Sequence, residues 1–283
     1  MPGRLQTRGR IDIGRMFDLD IPHDEESGLP LATVSEQYYS MDDLVLDEEV
    51  KERIAYIIDE NKNIGRLLEY GLKPKQKILL CGPPGTGKTL TSKVIASALG
   101  LPLVRVELDS LVPSFLGETG DNLRKVFDLA EESRCVMLFD GFDVIARPRD
   151  DGQEHGEIKR VISSFMQMAG GYNGRGMLVA ASNRQHLPDP AVWRRLDDML
   201  LYDMPDAGRR RLLLGRRLAA IGYTAGPGNL TGRTRGFSAA DIAGVCEDAM
   251  RRAVLAGRKV GGDDIEWAMR ERRRRKRAIK AGA

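Results

Sequence analysis

Apolar residues along the first two thirds of the chain come in short runs separated by amphipathic stretches, and that alternation sets the expected fold. Between residues 47 and 70, Val50, Ile54, Ile57, Ile58, Ile64, Leu67 and Leu68 recur at helical spacing, which predicts a helix with one buried face, ended by Gly71. An apolar run at 77–80 predicts a strand, followed by a glycine-rich loop over 82–88 and a helix over 89–99. The pattern then repeats as strand 103–107, helix 121–133, strand 136–140, helix 157–169, strand 177–182 and a last short strand 199–202. Five strands interleaved with helices predict a parallel five-stranded sheet in a three-layer α/β sandwich. Beyond residue 206 the strand signals stop, and helical patterns at 208–221, 238–255 and 263–276 predict a small all-helical domain. The expected organisation is an N-terminal extension over 1–33, an α/β domain over 34–205, a helical domain over 206–270 and a basic tail over 271–283.

A chain of 283 residues with 42% hydrophobic content is long enough to bury a core in one large domain and a small one. The formal net charge is +3, but residues 270–283 hold eight Lys or Arg against Glu271 alone, which leaves residues 1–269 at −4. The body is mildly acidic and the basicity belongs to the C-terminal stretch. Residues 1–30 lack periodicity and are rich in Gly, Pro and charge, with an acidic patch at Asp24, Glu25 and Glu26, so an extension or partner-binding arm is expected there. Cys81, Cys135 and Cys246 are widely spaced in apolar or helical surroundings, which predicts buried thiols in a reducing compartment rather than a disulfide framework. No apolar run approaches the length of a membrane span, and the first residues lack the apolar stretch of a secretion signal. A cytoplasmic protein without membrane contact is expected.

The loop Gly82-Pro83-Pro84-Gly85-Thr86-Gly87-Lys88-Thr89 fits the pattern G-x-x-x-x-G-K-[ST] in full, and Leu90 follows it into the helix. Glycines let backbone N–H groups turn inward as an anion nest, and the helix that follows adds its positive N-terminal end. Lys88 brings a full charge to the β and γ phosphates of a nucleotide, and Thr89 supplies a hydroxyl to Mg²⁺. The loop stands between an apolar strand and a helix, the context this chemistry requires, so ATP and Mg²⁺ are the expected ligands. An acid that holds the metal is expected at the end of a neighbouring buried strand, and Asp140 ends the apolar run Val136-Met137-Leu138-Phe139.

With these residues the chain resembles the AAA family of ATPases, from about residue 41 to 269. Leu116-Gly117-Glu118, with Asn122, Leu123, Arg124 and Phe127, is similar to the family's segment from the first pore loop into the next helix. Ala181-Ser182-Asn183-Arg184, then Leu187, Asp189-Pro190-Ala191 and Arg194-Arg195-Leu196-Asp197, resemble its second region of homology. Gly236-Phe237-Ser238-Ala239-Ala240-Asp241-Ile242 is similar to its lid motif. The resemblance implies a P-loop NTPase-type large domain with a helical lid, and a homo-oligomer, a hexameric ring or a helical assembly, with active sites between subunits. It implies that Asn183 is a sensor that orients water near the γ-phosphate, and that Arg194 and Arg195 reach into the neighbouring subunit's site. It further implies that Phe115, with Leu116, grips a threaded polypeptide; a second central loop could lie over 147–156. Taken without the resemblance, Asn183 is a surface Asn, the arginines are a solvated pair, and Phe115 is a core aromatic.

One departure bears on activity. Relatives normally follow the metal-binding Asp with a Glu that polarises the attacking water, but here the sequence reads Asp140-Gly141-Phe142-Asp143. General-base assistance is worth ~10²- to 10⁴-fold in rate. Three readings stay open: a natural hydrolysis-deficient member, an introduced change, or a substitute carboxylate such as Asp143 or Glu118. Nucleotide binding is expected to survive and turnover to be slow. Two functions are therefore expected alternatives: ATP-driven remodelling of a protein substrate, or a nucleotide-dependent scaffold that binds a partner enzyme or nucleic acid. The basic tail could meet a nucleic acid backbone, although a solvated helix end has the same composition. With no HExxH and only His23, His155 and His186, the zinc protease domain of membrane-bound relatives is not expected in this chain.

Overall fold

The computed structural model describes residues 19–108, 119–141, 154–183, 195–223, 226 and 228–281. Among them a single sheet collects β1 (Ala32–Ser35), β2 (Lys77–Cys81), β3 (Leu103–Val106), β4 (Val136–Asp140), β5 (Met177–Ser182) and β6 (Asp198–Leu201) in the order β1-β3-β4-β5-β2-β6. β2 to β6 run parallel, and helices lie between β2 and β3, β3 and β4, and β4 and β5, as crossovers between parallel strands usually do. β1 is antiparallel to β3, with Ala32 opposite Val106 and Ser35 opposite Leu103. The sheet thus has six strands, which corrects the expectation of five. Ala-Thr-Val-Ser is too short to show a period, and only its neighbours reveal its role: Leu31 and Ala32 are buried and cover the open edge of β3.

Both faces of the parallel strands are buried because neighbouring residues along each strand point to opposite sides. Ile78, Leu80, Val136, Leu138 and Val179 join a core with Ile54, Ile57 and Ile58 of α1 (Glu48–Lys62) and with Val94 and Ile95 of the helix after the glycine loop. Cys81, Met137, Phe139, Leu178 and Ala180 face the other way, against the helices that precede β4 and β5. The helix expected over 47–70 is broken at Asn63 into α1 and the short α2 (Ile64–Glu69). α3 (Lys88–Leu99) leaves the glycine loop. α4 (Thr119–Glu132) and α5 (Glu154–Gly171) supply Phe127 and Phe165, whose rings lie 5.6 and 4.9 Å from that of Phe139.

The helical domain comprises α6 (Ala207–Ala220), the short α7 (Leu230–Arg233), α8 (Ala239–Leu255) and α9 (Gly262–Ala281) around a core of Leu214, Leu218, Ile242, Val245, Ala249, Ala268 and Met269. Ser238 caps α8: its hydroxyl accepts from the Asp241 amide at 3.2 Å while the Asp241 carboxylate accepts from the Ser238 amide at 2.9 Å. Of the stretch expected as a basic tail, residues 271–281 form the last turns of α9. No helix among the described residues is long and apolar enough to cross a membrane. The three thiols are free and buried, and burial pushes Cys81 and Cys246 up to about 11 and Cys135 to about 12, so none is a ready nucleophile.

Part of the N-terminal segment is stitched to the large domain through Asp24, with Glu25 pairing Lys125 beside it at 2.8 Å. Asp24 accepts from the Ser27 hydroxyl at 2.6 Å, the Ser27 amide at 2.7 Å and the Asn122 side chain of α4 at 2.7 Å. These donors, Ser27 first, hold its carboxyl down at about 2. A group whose folded value is depressed stabilises above its unfolded value and loses that contribution as pH falls through the folded one. The gap in thermal midpoint between the wild type and Asp24→Ala is therefore expected to be full near neutrality. It should narrow only as pH falls from about 3.8 toward about 2, as read by a pH series of melting curves.

Candidate functional site

The glycine loop connects the end of β2 to the start of α3 at the strand ends where ligands bind in parallel α/β sheets. Its backbone turns through left-handed conformations at Gly85 (φ 75°) and Gly87 (φ 113°), which glycine adopts without steric cost. The surroundings also leave no room for side chains. A Cβ on Gly82 would lie 2.1 Å from the Tyr202 carbonyl oxygen, and one on Gly85 would lie 2.6 Å from Ser238 Oγ and 2.9 Å from Ala240 Cβ. Gly85 thus carries the lid: its carbonyl accepts from the Ala240 amide at 3.1 Å, in the first turn of α8. Thr86 is buried and donates to the Pro83 carbonyl at 2.8 Å, which fixes the turn between the two prolines and the helix.

Lys88 is 6% exposed and its ammonium donates to the carbonyls of Gly82 at 2.8 Å and Pro83 at 2.9 Å and to Asn183 Oδ1 at 3.0 Å. A cation is costly to bury, and this ammonium is held at the glycine loop, where it adds positive charge to the side an anionic ligand would approach. Thr89 Oγ1 donates to Asp140 Oδ2 at 2.9 Å, so the hydroxyl of α3 and the carboxylate of β4 converge on one point. Two hard oxygen donors, leaving further positions to water and phosphate, suit Mg²⁺, which is bound through one or two protein ligands. When bound, Mg²⁺ would neutralise charge on the β and γ phosphates. A cavity of about 280 Å³ opens over this group, with Thr86, Lys88, Thr89, Leu90, Asp140 and Asn183 on one wall. Residues 43–46 and the lid residues Leu213, Arg217, Ala240 and Ala243 form the others.

The structure therefore brings Lys88, Thr89, Asp140 and Asn183 together from three separate stretches of chain. Arg105 joins them without having been foreseen. It stands on β3 in register with Leu138, and its guanidinium lies 3.9 Å from Asp140 Oδ2, the oxygen that Thr89 already contacts. An arginine interrupting the apolar run Leu-Val-Arg-Val was the available signal, but only the register of β3 on β4 shows which carboxylate it approaches.

The sequence profile described as "ATPase family associated with various cellular activities (AAA)" matches residues 78–204, the stretch that holds this group. An uncharacterized AAA family ATPase of Sinorhizobium fredii, y4kL, is 36% identical over 242 residues, covering 85% of this chain and 73% of that protein. The chain belongs to the AAA family of ATPases. Nucleotide binding follows from that membership. Other relatives are the ATP-dependent zinc metalloproteases FtsH 3 of Symbiobacterium thermophilum and FtsH of Rhodothermus marinus. The first is 32% identical over 84% of this chain and 40% of its own length, the second 35% over 78% and 33%. The AAA chain thus spans less than half the length of these metalloproteases.

Arg195 of this AAA chain is exposed, with its stem beside Gly170 at the end of α5, and it shortly precedes β6, on the strand-entry edge of the sheet. Its own phosphate loop leaves β2 at the opposite edge. Phe115, Leu116, Arg194, most of the second central loop, Glu118 and Asp143 lie outside the described residues.

Two measurements probe the AAA site. Lys88→Ala removes a charged donor worth about 1.5–3 kcal/mol, so ATP affinity by calorimetry or fluorescence is expected to fall on the order of 10- to 100-fold. Arg105 is half-exposed, so its pairing with Asp140 is screened and worth at most about 1 kcal/mol. Because it competes with a metal for the same oxygen, Arg105→Ala is expected to lower the Mg²⁺ concentration that half-saturates ATP binding by up to about fivefold.

Proposed function

We propose that this AAA chain is an ATP-binding subunit of an oligomeric protein-remodelling machine with active sites between subunits, and that its own hydrolysis of ATP is slow. The observation that carries the reading is the contrast at the end of β4. Asp140 is met by Thr89, close to Lys88 and Asn183, while the next residue is a glycine. The binding apparatus and the residue that would activate water make separate demands, and only the first is met by the described side chains.

Gly141 has φ 79°, and its amide donates to the Ala181 carbonyl at 3.1 Å, so the strand end turns into the left-handed region there. A residue with a Cβ held in that conformation costs about 1–2 kcal/mol. This backbone suits glycine. Assembly is supported by Arg195: a guanidinium on the far edge of the sheet is badly placed for its own phosphate loop and free to approach a neighbour's. Remodelling is supported by the likeness to ATP-dependent proteases of the FtsH type, within the stretch this chain shares with them.

The same glycine favours a second reading, in which ATP orders the assembly as a scaffold and turnover is unimportant. The two are separated by whether a folded protein substrate is unfolded when ATP is present.

The test of the proposal pairs ATP binding with phosphate release. The wild-type chain is expected to bind ATP and release phosphate slowly. Gly141→Glu is expected to leave binding within about threefold and to raise release on the order of 10²-fold, the lower end of general-base assistance, because the backbone strain opposes it. A wild-type rate that the glutamate does not improve would overturn the assignment of slow turnover to Gly141.

A further inference from the structure

α9 sorts its basic residues by helical phase. Ile265, Ala268 and Met269 are buried in the lid core. Flanking that stripe, Lys276 bonds the Asp241 carboxylate and donates to the Gly236 carbonyl at 3.0 Å, and Arg273 donates to the Arg233 carbonyl. Arg272 lies 3.9 Å from Asp241 and so close over α8 that a Cβ on Gly244 would overlap its guanidinium. Arg275 approaches Asp248 at 3.8 Å. These side chains hold the helix to the lid. Arg270, Arg274 and Arg277 are different. They stand at i, i+4 and i+7 on the opposite side, exposed, and form no hydrogen bond or ion pair among the described residues. Arg235 is exposed on the loop that receives Arg273 and Lys276.

We propose that this outward face of α9 is a binding surface for the phosphate backbone of a nucleic acid. At 1.5 Å per residue the three guanidinium groups follow one another along about 10 Å of helix, a row that suits the closely spaced charges of a duplex. Arginine forks bind phosphate oxygens in pairs, and all three positions are arginine rather than lysine. The described part of the outward face shows no exposed large apolar residue, whereas a docked protein is usually anchored by aromatic, Met or aliphatic side chains. The whole chain is polarised in the same sense: residues 206–283 carry 19 Lys or Arg against 8 Asp or Glu, a net +11, and residues 1–205 a net −8. A polyanion would be drawn to the lid and turned away from the large domain. The surface is independent of the ATP site.

The test is binding of the full chain to a 20-base-pair duplex of arbitrary sequence, at the stated probe length of about two helical turns, followed by anisotropy across a salt series. Three phosphate contacts predict a slope of log K against log salt of about −3. Replacing Arg270, Arg274 and Arg277 together by alanine is expected to bring the slope close to zero and to weaken binding at least about tenfold at about 50 mM salt. A charge-matched variant, with Arg66, Arg211 and Lys259 changed to alanine, is expected to keep the slope. Since the three outward arginines make no hydrogen bond or ion pair among the described residues, and Arg270 meets only the through-space charge of exposed Glu266, their loss should leave the thermal midpoint within about 1 °C and ATP affinity unchanged, which guards against reading unfolding as lost contact. The proposal is overturned if the duplex is not bound, or if both triple variants lose affinity equally. It is also overturned if the outward arginines prove to govern only a salt-sensitive self-association, which would assign the face to the acidic domain of another copy.

Discussion

The structure depends on the closeness with which the glycine loop is wedged between the sheet and the lid. At Gly82 the loop presses on the Tyr202 carbonyl and at Gly85 on Ser238 and Ala240, so that no Cβ fits at either place. A chain that must bring backbone amides to face an anion needs such turns in any case. Here the same turns also seat the helical domain, because the Ala240 amide donates to the Gly85 carbonyl. Ligand site and domain contact are therefore not separable surfaces. Residues that touch the phosphate loop open α8, α8 is capped through Asp241, and Asp241 is in turn held by Lys276 of α9. Contiguous contact thus runs from the loop to the C-terminal helix without leaving well-packed ground.

Much of this was legible beforehand. The loop pattern with its flanking strand and helix, the two-sided apolar strands and the change to helix-only patterning after residue 206 each carry a physical period that survives in a single sequence. Asp140 was also legible, since a carboxylate closing a fully apolar run has nowhere to go but a strand end. Other features were not, and for identifiable reasons. β1 has four residues and no period, and it becomes a strand only because β3 offers an unpaired edge. The break at Asn63 falls inside a continuous apolar stripe, so periodicity runs across it. Arg105 is a lone charged residue in an apolar strand, and register alone gives it a partner. The basic stretch at the end gave its charge but not its sorting into an inward and an outward face, which follows from how α9 is rotated against α8.

Charge is distributed in accord with that division of labour. The buried Lys88 ammonium donates to the carbonyls of Gly82 and Pro83 and to Asn183 Oδ1, which hold it at the glycine loop. Elsewhere the chain neutralises its charges locally. Asp198 takes both Arg53 and Lys75, the latter at 2.9 Å, and Asp264 takes Arg258 through both carboxylate oxygens. Exposed charges such as the outward arginines of α9 cost little to keep because water solvates them. Lys88 is different, because it is buried beside the glycine loop, where a charge is costly to keep.

Binding a triphosphate and cleaving it ask for different things from the end of β4. Binding needs an oxygen donor at the carboxyl end of the strand next to the loop helix, and Asp140 supplies it. Cleavage needs a second carboxylate whose position is fixed to a fraction of an ångström relative to water, and a position fixed that well needs a backbone from which a side chain can project. At residue 141 the chain leaves the strand through a left-handed turn, a conformation that glycine holds at no cost and that other residues resist. The missing side chain and the backbone that excludes it are thus one feature. A glutamate placed at 141 would gain a carboxylate against a backbone strain of about 1–2 kcal/mol. On the proposed reading, the absent side chain at 141 and the shape of the turn go together, so binding and cleavage would be separated by one backbone feature rather than by one atom group.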